Sequence, residues 1–403
     1  MRVSNKILFF VLDGASDRPV GKSTPLQSAI TPNLDKLADT GISGIMDTIA
    51  PGIRPGSDTA HLSLLGYDPY KYYTGRGPFE AAGVGIDVKA GDVAFRCNFA
   101  TLKDGLIVDR RAGRIRETTE LAHSISEGVD VGTDFIFKES TGHRAAMVLR
   151  GEDLSADVTS NDPKKENKPM KEFHAISSKA EKTAKILNDF LAQSIDILES
   201  HPVNQERSSA GMPPANVILL RGAGLVPAII PFEEKYGLKS AVVAAAGLVI
   251  GIGKMCGMEH VSFDGGTGGV DSDVVGKVRT AIKALEDHDF VLVNIKGADE
   301  AGHDGEFEKK RDFLSRIDEA FSEVLDLKDT MVVVTADHST PVSIKDHTAD
   351  PVPIMINGDG VRVDNVHAYN EIDAANGGLN RLRGMDIMHI LMDLINRAEK
   401  FGA

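Results

Sequence analysis

Short runs of consecutive apolar residues occur near both ends of the chain. Residues 7–12 form one such run, which is followed at once by Asp13-Gly14, and residues 290–295 and 331–335 form two more. None of these runs alternates apolar with polar residues, and β-branched and aromatic side chains are common in them. Such runs are typical of strands buried on both faces, as in a parallel sheet covered by helices.

Segments with helical periodicity lie between these runs. A threonine–proline pair supplies a helix start and Gly41 a helix stop, which together predict a helix over residues 33–39. Residues 307–327 and 385–399 have the apolar spacing of amphipathic helices. Strands that alternate with helices predict an α/β fold in which a mostly parallel sheet is sandwiched by helices.

The middle of the chain has a different pattern. Residues 73–214 are more polar and show β-like alternation, with a helical segment over 175–198 and a loop rich in Ser, Asn and Pro over 200–214. The first pattern returns from residue 215 onward. We therefore predict a discontinuous domain, residues 1–72 and 215–403, into which a smaller α+β domain, residues 73–214, is inserted.

The composition limits the possible functions. The chain has 403 residues, of which 42% are hydrophobic, with a net charge of −14 and two cysteines that lack CxxC spacing. The acidic balance argues against nucleic acid or a membrane surface as the partner, and the cysteine usage favours a reducing, cytoplasmic setting. The apolar stretch over 241–253 is shorter than the roughly 20 residues that span a bilayer, so we expect it to be buried core. The sequence carries no signal for an oligomeric state.

Residue types that bind metal ions follow the three predicted strands. Asp13 follows the first run, Asp299 comes shortly after the second, and Asp337-His338 follow the third directly. Because ligands of parallel α/β sheets bind at the carboxyl ends of strands, we expect these side chains to meet at one edge. His303 lies four residues after Asp299, so one helical turn would aim both at one ion. Carboxylate and imidazole mixtures suit Mn²⁺ or Zn²⁺ better than Ca²⁺.

A serine near the N-terminus is a candidate nucleophile. The segment Gly56-Ser57-Asp58 has the pattern of a loop that enters a helix. On its own, Ser57 is most simply interpreted as a helix N-cap. The backbone N–H groups at a helix start also bind phosphate oxygens, and a metal ion can activate a serine hydroxyl there. The combination predicts metal-dependent phosphoryl transfer.

At these residues the chain resembles the alkaline phosphatase superfamily, and more closely the cofactor-independent phosphoglycerate mutases in their shorter archaeal-type form. The metal-ligand motifs are shared across that superfamily, whereas the motifs of the middle region are similar to those of the mutases in particular. The matching stretches, in chain order, begin at Phe10, Pro55, Gly75, Val108, Gly142, Ala298 and Ala336.

The resemblance implies a role for each matching residue. One divalent ion would be held by Asp299, His303 and His347, and a second by Asp13, Ser57, Asp337 and His338. Ser57 would carry the transferred phosphoryl group. The fold would be a phosphatase-like domain with an inserted capping domain and the substrate between them. Mn²⁺ is the favoured ion, with Zn²⁺, Mg²⁺ or Co²⁺ as alternatives that ligand types do not separate.

Arginines are concentrated in the predicted insert of this otherwise acidic chain. Arg110, Arg111 and Arg114 lie within five residues of one another, and His143-Arg144 follow later. Arginine forks match carboxylate and phosphate geometry, so we predict that these residues bind the substrate. Asp109 is a candidate general acid/base for the substrate hydroxyls. The alternative is a solvated basic hairpin without a ligand.

The expected activity is interconversion of 3-phosphoglycerate and 2-phosphoglycerate through phosphoserine, an isomerase reaction of glycolysis that is independent of 2,3-bisphosphoglycerate. A metal-dependent phosphomonoesterase and another phosphosugar mutase of the superfamily are the alternatives, since both would use the same metal ligands. A binding module is a third interpretation, because residues 247–254 superficially suggest a phosphate loop. That segment fails the P-loop template, since Leu248 occupies the first glycine position and Met255 replaces Ser/Thr.

Overall fold

The computed structural model describes residues 4–19 and 23–402. The chain forms two compact units, one comprising Met1–Tyr72 with Ile229–Ala403 and the other Tyr73–Ala228. Within the described residues, no helix combines the length and the apolar character needed to cross a membrane.

Strands and helices alternate along most of the chain. The strands are β1 (Lys6–Leu12), β2 (Ile42–Asp47), β3 (Val93–Lys103), β4 (Leu106–Asp109), β5 (Asp134–Glu139), β6 (Arg144–Arg150), β7 (Lys168–Pro169), β8 (Val217–Leu225), β9 (Ser240–Val243), β10 (Glu259–His260), β11 (Phe290–Ile295), β12 (Thr330–Thr335), β13 (Val352–Asn357) and β14 (Asn380–Arg383).

The α-helices are α1 (Pro25–Ser28), α2 (Pro32–Asp39), α3 (Ser57–Leu64), α4 (Pro69–Tyr72), α5 (Gly77–Gly83), α6 (Thr119–Gly128), α7 (Glu181–Ser200), α8 (Pro202–Ser209), α9 (Phe232–Tyr236), α10 (Gly247–Met255), α11 (Val274–Ala284), α12 (Gly297–Asp304), α13 (Phe307–Phe321) and α14 (Gly384–Leu394). Short 3₁₀ turns occur at Ala112–Arg114, Ser178–Ala180 and Ala374–Asn376.

The first unit is built on a sheet with the strand order β10-β9-β11-β1-β12-β13-β2-β14. Neighbouring strands are parallel, except that β13 runs antiparallel to both β12 and β2. Every residue of β11 and β12 is buried, as is every residue of β1 after Lys6. Strands buried on both faces need helices on both sides, which is why these runs are continuously apolar. The predicted mostly parallel α/β fold is confirmed.

The second unit is a smaller α+β structure whose sheet is antiparallel. Strand β3 is central, because it pairs with β6 on one side and with β8 on the other, while its far end pairs with β4. Helix α7 packs against both α6 and β8. Apolar side chains of β3, among them Phe95, Cys97 and Phe99, lie in the core of this unit. Residues at alternate positions of β3 therefore lie on its other face.

Two sequence predictions differ from the structure in this region. The predicted boundary at residue 214 lies too early, because β8 pairs with β3 and residues 215–228 therefore belong to the second unit. The stretch over 200–214 is not a plain loop, since α8 occupies much of it. A proline at the first helical position and a nitrogen of His201 that accepts from Val203 N start this helix.

Candidate active site

Three adjacent parallel strands end at one edge of the large sheet. Strand β1 lies between β11 and β12, with Leu12 opposite Ile295 and Val11 opposite Thr335. The backbone N–H of Asp13 continues the pairing by donating to the carbonyl of Ile295 at 2.9 Å. Because the registers match, the polar residues that follow each strand gather at the same edge, as the sequence predicts.

One cluster at this edge contains Asp13, Asp337 and His338. All three are fully buried, and each offers a ligand atom within 4.8 Å of the others. Nε2 of His338 lies 3.1 Å from Oδ2 of Asp337 and 3.8 Å from Oδ1 of Asp13. The hydroxyl oxygen of Ser57 lies 3.2 Å from the same nitrogen. The four residues that the resemblance assigns to one metal ion are thus neighbours in the structure.

A second cluster contains Asp299, His303 and His347. Helix α12 carries Asp299 and His303 one turn apart, and Oδ1 of Asp299 lies 3.3 Å from Nε2 of His303 and 3.4 Å from Nε2 of His347. The two Nε2 atoms are 3.2 Å apart. The ring of His347 also stacks on that of His338, with the centroids 3.5 Å apart. His338 therefore adjoins both clusters.

The donor atoms of both clusters fit divalent cations. Two oxygen or nitrogen ligands at about 2.1 Å from one ion are at most roughly 4.2 Å apart, and the individual distances from the histidine Nε2 atoms, 3.1 to 3.8 Å, fall below that limit. Nδ1 of His303 faces the carbonyl of Lys345 and Nδ1 of His347 faces that of Pro55, each at 3.0 Å. In the neutral rings these carbonyls place the proton on Nδ1, so both Nε2 lone pairs point to one place.

A buried carboxylate oxygen gives independent support for a cation. Oδ1 of Asp337 accepts from the backbone N–H groups of Gly14 and His338, both at 3.1 Å. Oδ2 of Asp337 is buried and faces Nε2 of His338 at 3.1 Å, and it has no other close hydrogen-bond donor within the described part of the chain. Burial, followed by the charge of Asp337, raises the pKa of Asp13. Two facing carboxylates of this kind are stabilised by a positive ion.

Sequence reasoning missed Lys296, which lies between the two clusters. Its Nζ contacts Oδ1 of Asp13 at 3.2 Å and Oδ2 of Asp299 at 2.6 Å. Burial opposes its charge, but these two carboxylates outweigh that effect and raise the pKa of Lys296. The available signal was its position, since Lys296 directly follows β11.

Two further polar residues support Asp13 and Ser57. Asn294, the one polar residue in β11, donates to Oδ2 of Asp13 at 3.0 Å. His61 is fully buried, and its Nδ1 lies 2.7 Å from the carbonyl of Ser57. Asn294 could have been identified from the sequence, because it is an isolated polar residue within an apolar strand. His61 could not, because its sequence pattern is that of an ordinary core histidine.

Ser57 is not the N-cap that its sequence suggested. The N-cap is Gly56, and Ser57 is the first residue of α3. The cap position is extended, so a glycine or any other residue fits there, and the Ser57 side chain makes no capping bond. Its hydroxyl is therefore available to the cluster. The helix cap is supplied by Gly56, and Ser57 remains a candidate nucleophile.

In the second unit, the predicted arginine cluster lines a cavity of about 470 Å³. The side chains around it are Asp109, Arg110, Arg111, Arg114, Lys164, Lys165 and Glu166. Arg110 forks onto the carboxylate of Asp162, with contacts of 2.9 and 2.6 Å. The Asp109 carboxylate accepts from the backbone N–H groups of Arg111 and Gly113. Arg111 and Arg114 make no such ion pair among the described residues, so they are freer to bind an anion.

A second basic group lies on the face of β3 opposite the apolar core. Arg96 stands directly opposite Arg221 across β3 and β8, and Arg144 stands opposite Asn98 across β3 and β6. Like charges opposite one another destabilise a sheet. Burial lowers the pKa of Arg96 to about 10 despite Glu80, and its Nε has no hydrogen-bond acceptor within the described chain. Burial, with the charge of Arg144 next, also lowers the pKa of His143 to about 4.

Sequence reasoning named His143 and Arg144 as substrate-binding residues together with Arg110, Arg111 and Arg114, but it missed Arg96 and Arg221. Only the strand register brings those two together, since 125 positions separate them in the chain. Arg150, by contrast, forks onto the carboxylate of Asp92 with contacts of 2.9 and 2.7 Å. Its guanidinium is therefore already engaged by an acid.

Known proteins resemble this chain over nearly its whole length. A family model described as 2,3-bisphosphoglycerate-independent phosphoglycerate mutase matches residues 38–204. The mutase of that name from Methanoculleus marisnigri is 54% identical over 410 residues, covering 100% of both chains. The chain belongs to the 2,3-bisphosphoglycerate-independent phosphoglycerate mutase family.

A further relative and two solved structures are also similar to this chain. The Archaeoglobus fulgidus mutase is 51% identical over 407 residues, covering 98% of this chain and 100% of the relative. The solved cofactor-independent phosphoglycerate mutase from Thermoplasma acidophilum is 42% identical with a TM-score of 0.75, covering 97% of this chain and all of that one. The structure of the PH0037 protein from Pyrococcus horikoshii has a TM-score of 0.87 at 37% identity, with full coverage of both chains. The family match spans both compact units.

Proposed function

We propose that this protein interconverts 3-phosphoglycerate and 2-phosphoglycerate by transferring the phosphoryl group through Ser57, without 2,3-bisphosphoglycerate. The observation that carries the proposal is the position of the Ser57 hydroxyl, which lies 3.2 Å from Nε2 of His338 at the start of α3. A serine among carboxylate and imidazole ligands is suited to phosphoryl transfer and has no evident purpose in a binding module. The setting would be the cytoplasm, as the composition suggests.

We assign one divalent cation to Asp299, His303 and His347, and the other to Asp13, Ser57, Asp337 and His338. Mn²⁺ is the preferred ion because the ligands mix imidazole with carboxylate, and Zn²⁺, Mg²⁺ or Co²⁺ could replace it. When bound, such ions supply positive charge that stabilises the phosphoryl oxygens and lowers the pKa of the serine hydroxyl.

The chain's own groups would complete the reaction in two transfers. The Ser57 hydroxyl loses its proton to solvent as its oxygen forms a bond to phosphorus, the bond from phosphorus to the glycerate oxygen breaks, and that oxygen takes up a proton. The other glycerate hydroxyl then loses a proton and attacks phosphoserine, the bond from phosphorus to the Ser57 oxygen breaks, and that oxygen takes a proton back from solvent. We assign the proton transfers at the glycerate oxygens to Asp109, whose carboxylate is held by the N–H groups of Arg111 and Gly113. Lys296 would neutralise charge beside Asp13 and Asp299.

The arginines of the second unit would hold the substrate's carboxylate and phosphate. Arg111, Arg114 and Arg144 are exposed. Arg96 stands opposite Arg221, which lies 3.3 Å from Asp162, whereas Nε of Arg96 has no hydrogen-bond acceptor within the described chain and could bind an anion. Arg110 is the least available member, because its guanidinium already binds Asp162. We expect Arg110 to shape the cavity and its neighbours to contact the ligand.

The decisive experiment is a coupled assay on purified protein loaded with Mn²⁺. The protein receives 3-phosphoglycerate with no bisphosphoglycerate, and 2-phosphoglycerate and free phosphate are measured in the same sample. We expect 2-phosphoglycerate to form without release of phosphate. Phosphate release without isomerisation would show that the protein is a phosphomonoesterase with the same metal ligands and not a mutase. A third result, isomerisation of other phosphosugars only, would indicate another phosphosugar mutase.

A further inference from the structure

Thr340 connects the two clusters of metal-ligand residues. Its Oγ1 donates to Oδ1 of Asp299 at 2.9 Å and lies 3.0 Å from Nδ1 of His338. Asp299 belongs to one cluster and His338 to the other. We propose that the Thr340 hydroxyl is a positioning group that orients one ligand of each metal ion, an inference that rests on the proposed function.

The number of protons available determines the direction of both hydrogen bonds. A threonine hydroxyl has one proton, and an ionised carboxylate can only accept, so the Thr340 proton goes to Asp299. The hydroxyl oxygen must then accept from His338, which places a proton on Nδ1 of that ring. In the neutral ring Nε2 then keeps its lone pair, and this is the nitrogen near Asp13, Ser57 and Asp337. The hydroxyl thus selects the tautomer that can bind an ion beside Ser57.

The backbone of Thr340 is held in place by buried hydrogen bonds. Its N–H donates to the carbonyl of Ser16 at 3.1 Å, and its carbonyl accepts from Nζ of Lys310 at 2.9 Å. Lys310 is fully buried and also donates to the carbonyl of Ser16 and to the carboxylate of Asp17. A buried ammonium with three acceptors fixes the segment that carries Thr340.

Glycines on two sides leave just enough room for the Thr340 side chain. A Cβ at Gly302 would lie 2.5 Å from the Thr340 carbonyl oxygen and 2.9 Å from its Cγ2. A Cβ at Gly14, where φ is +64°, would lie 2.8 Å from Oγ1 of Thr340. Both glycines therefore allow the hydroxyl to reach Asp299 and His338. A valine would put a methyl group at hydrogen-bond distance from both, so it is a poor test of the hydroxyl alone.

Serine and alanine at position 340 form the matched pair. Both substitutions remove the methyl group, and only Thr340→Ala also removes the hydroxyl. Mn²⁺ affinity is measured for each folded variant by calorimetry and by electron paramagnetic resonance. We expect Thr340→Ser to keep both sites within a few-fold of wild type, and Thr340→Ala to weaken both by roughly 10- to 100-fold, as for other partners that orient metal ligands. Thr183, a buried threonine of the other unit whose hydroxyl accepts from Ser155 N, supplies the control pair of substitutions.

A merely structural threonine would lower thermal stability but leave the affinity of the folded protein for Mn²⁺ unchanged. Equal affinities for the Ser and Ala variants would therefore overturn the inference. If Thr340→Ala does not fold, the inference is tested by nitrogen-15 NMR of the wild-type protein loaded with Zn²⁺. The inference requires that His338 carries its proton on Nδ1, and a proton on Nε2 would overturn the inference.

The proposed function fails by a different result. Wild-type protein that binds no Mn²⁺ and isomerises no phosphoglycerate would refute the function itself. A different result would refute only the role of Thr340. In that case the wild-type protein binds two Mn²⁺ ions and isomerises phosphoglycerate, and the Thr340→Ala and Thr340→Ser variants bind Mn²⁺ with equal affinity.

Discussion

The hydroxyl oxygen of Ser57 lies 3.2 Å from Nε2 of His338, although 281 residues separate the two in the chain. The contact joins the start of α3 to the end of β12, which are parts of the same compact unit. It also places the serine beside the carboxylate of Asp337, which is 3.1 Å from the same nitrogen. An oxygen in that position is next to the groups that would hold a cation, so its reactivity can be tested directly.

Ser57→Ala should abolish isomerisation while leaving the fold intact, because the group that accepts phosphorus is lost and no buried apolar contact is removed. The measurements are turnover of 3-phosphoglycerate and the circular dichroism spectrum. Ser63→Ala is the matched control, since Ser63 is a buried serine of the same helix whose hydroxyl makes no hydrogen bond among the described residues. Turnover by Ser57→Ala at the wild-type rate would remove Ser57 as the nucleophile.

Lys296→Met should lower kcat by about 10²-fold, the typical cost of removing one charged group that stabilises a transition state. Mn²⁺ affinity should not weaken, because the substitution removes a cation from beside Asp13 and Asp299. Steady-state kinetics and Mn²⁺ titration measure the two effects separately. Lys309→Met, which loses only an exposed pair with Asp304, is the control. A normal kcat for Lys296→Met would restrict Lys296 to a structural role.

Arg96→Met should raise KM for 3-phosphoglycerate at least tenfold, because the bound anion would lose a guanidinium whose buried Nε has no hydrogen-bond acceptor within the described chain. Arg150→Met is the comparison, since Arg150 lies on the same sheet but is already bound to Asp92. That variant should lower the free energy of unfolding and leave KM unchanged. Equal KM values for the two variants would exclude Arg96 from substrate binding.

His143 should make stability depend on pH between about 4 and 6.5. Burial lowers its pKa in the folded protein to about 4, against an ordinary value of 6.5. In that interval the unfolded chain binds a proton that the folded protein does not, so the free energy of unfolding decreases as the pH falls. Above pH 6.5 this contribution is complete. Its size is reduced by solvent, because the ring is only partly buried.

Denaturant unfolding of wild type and His143→Gln at pH 7, 5.5 and 4.5 checks this prediction. Other groups also titrate in this range, so the informative quantity is the difference between the two proteins. Wild type should lose more stability than the variant as the pH falls. Parallel curves would show that His143 titrates alike in the folded and unfolded states.

The sequence by itself determined the strands of the large sheet and the ligand types that follow them. Continuous apolar runs can be satisfied only by burial on both faces, and a polar residue after such a run must leave the sheet at its edge. Asp13, Asp299 and Asp337 were identifiable for this reason. The four-residue spacing from Asp299 to His303 likewise predicted the shared helical turn that α12 provides. These are local properties of the chain.

Tertiary structure decided which groups contact one another across large sequence separations. The pairing of Arg96 with Arg221, the engagement of Arg110 by Asp162, and the place of β8 in the second unit all depend on strand register and long-range packing. Register is set by how two whole strands bury their apolar faces together, and no short motif records that choice. Thr340 shows the same limit, because a threonine after a strand is ordinary until the fold brings Asp299 and His338 to either side of its hydroxyl.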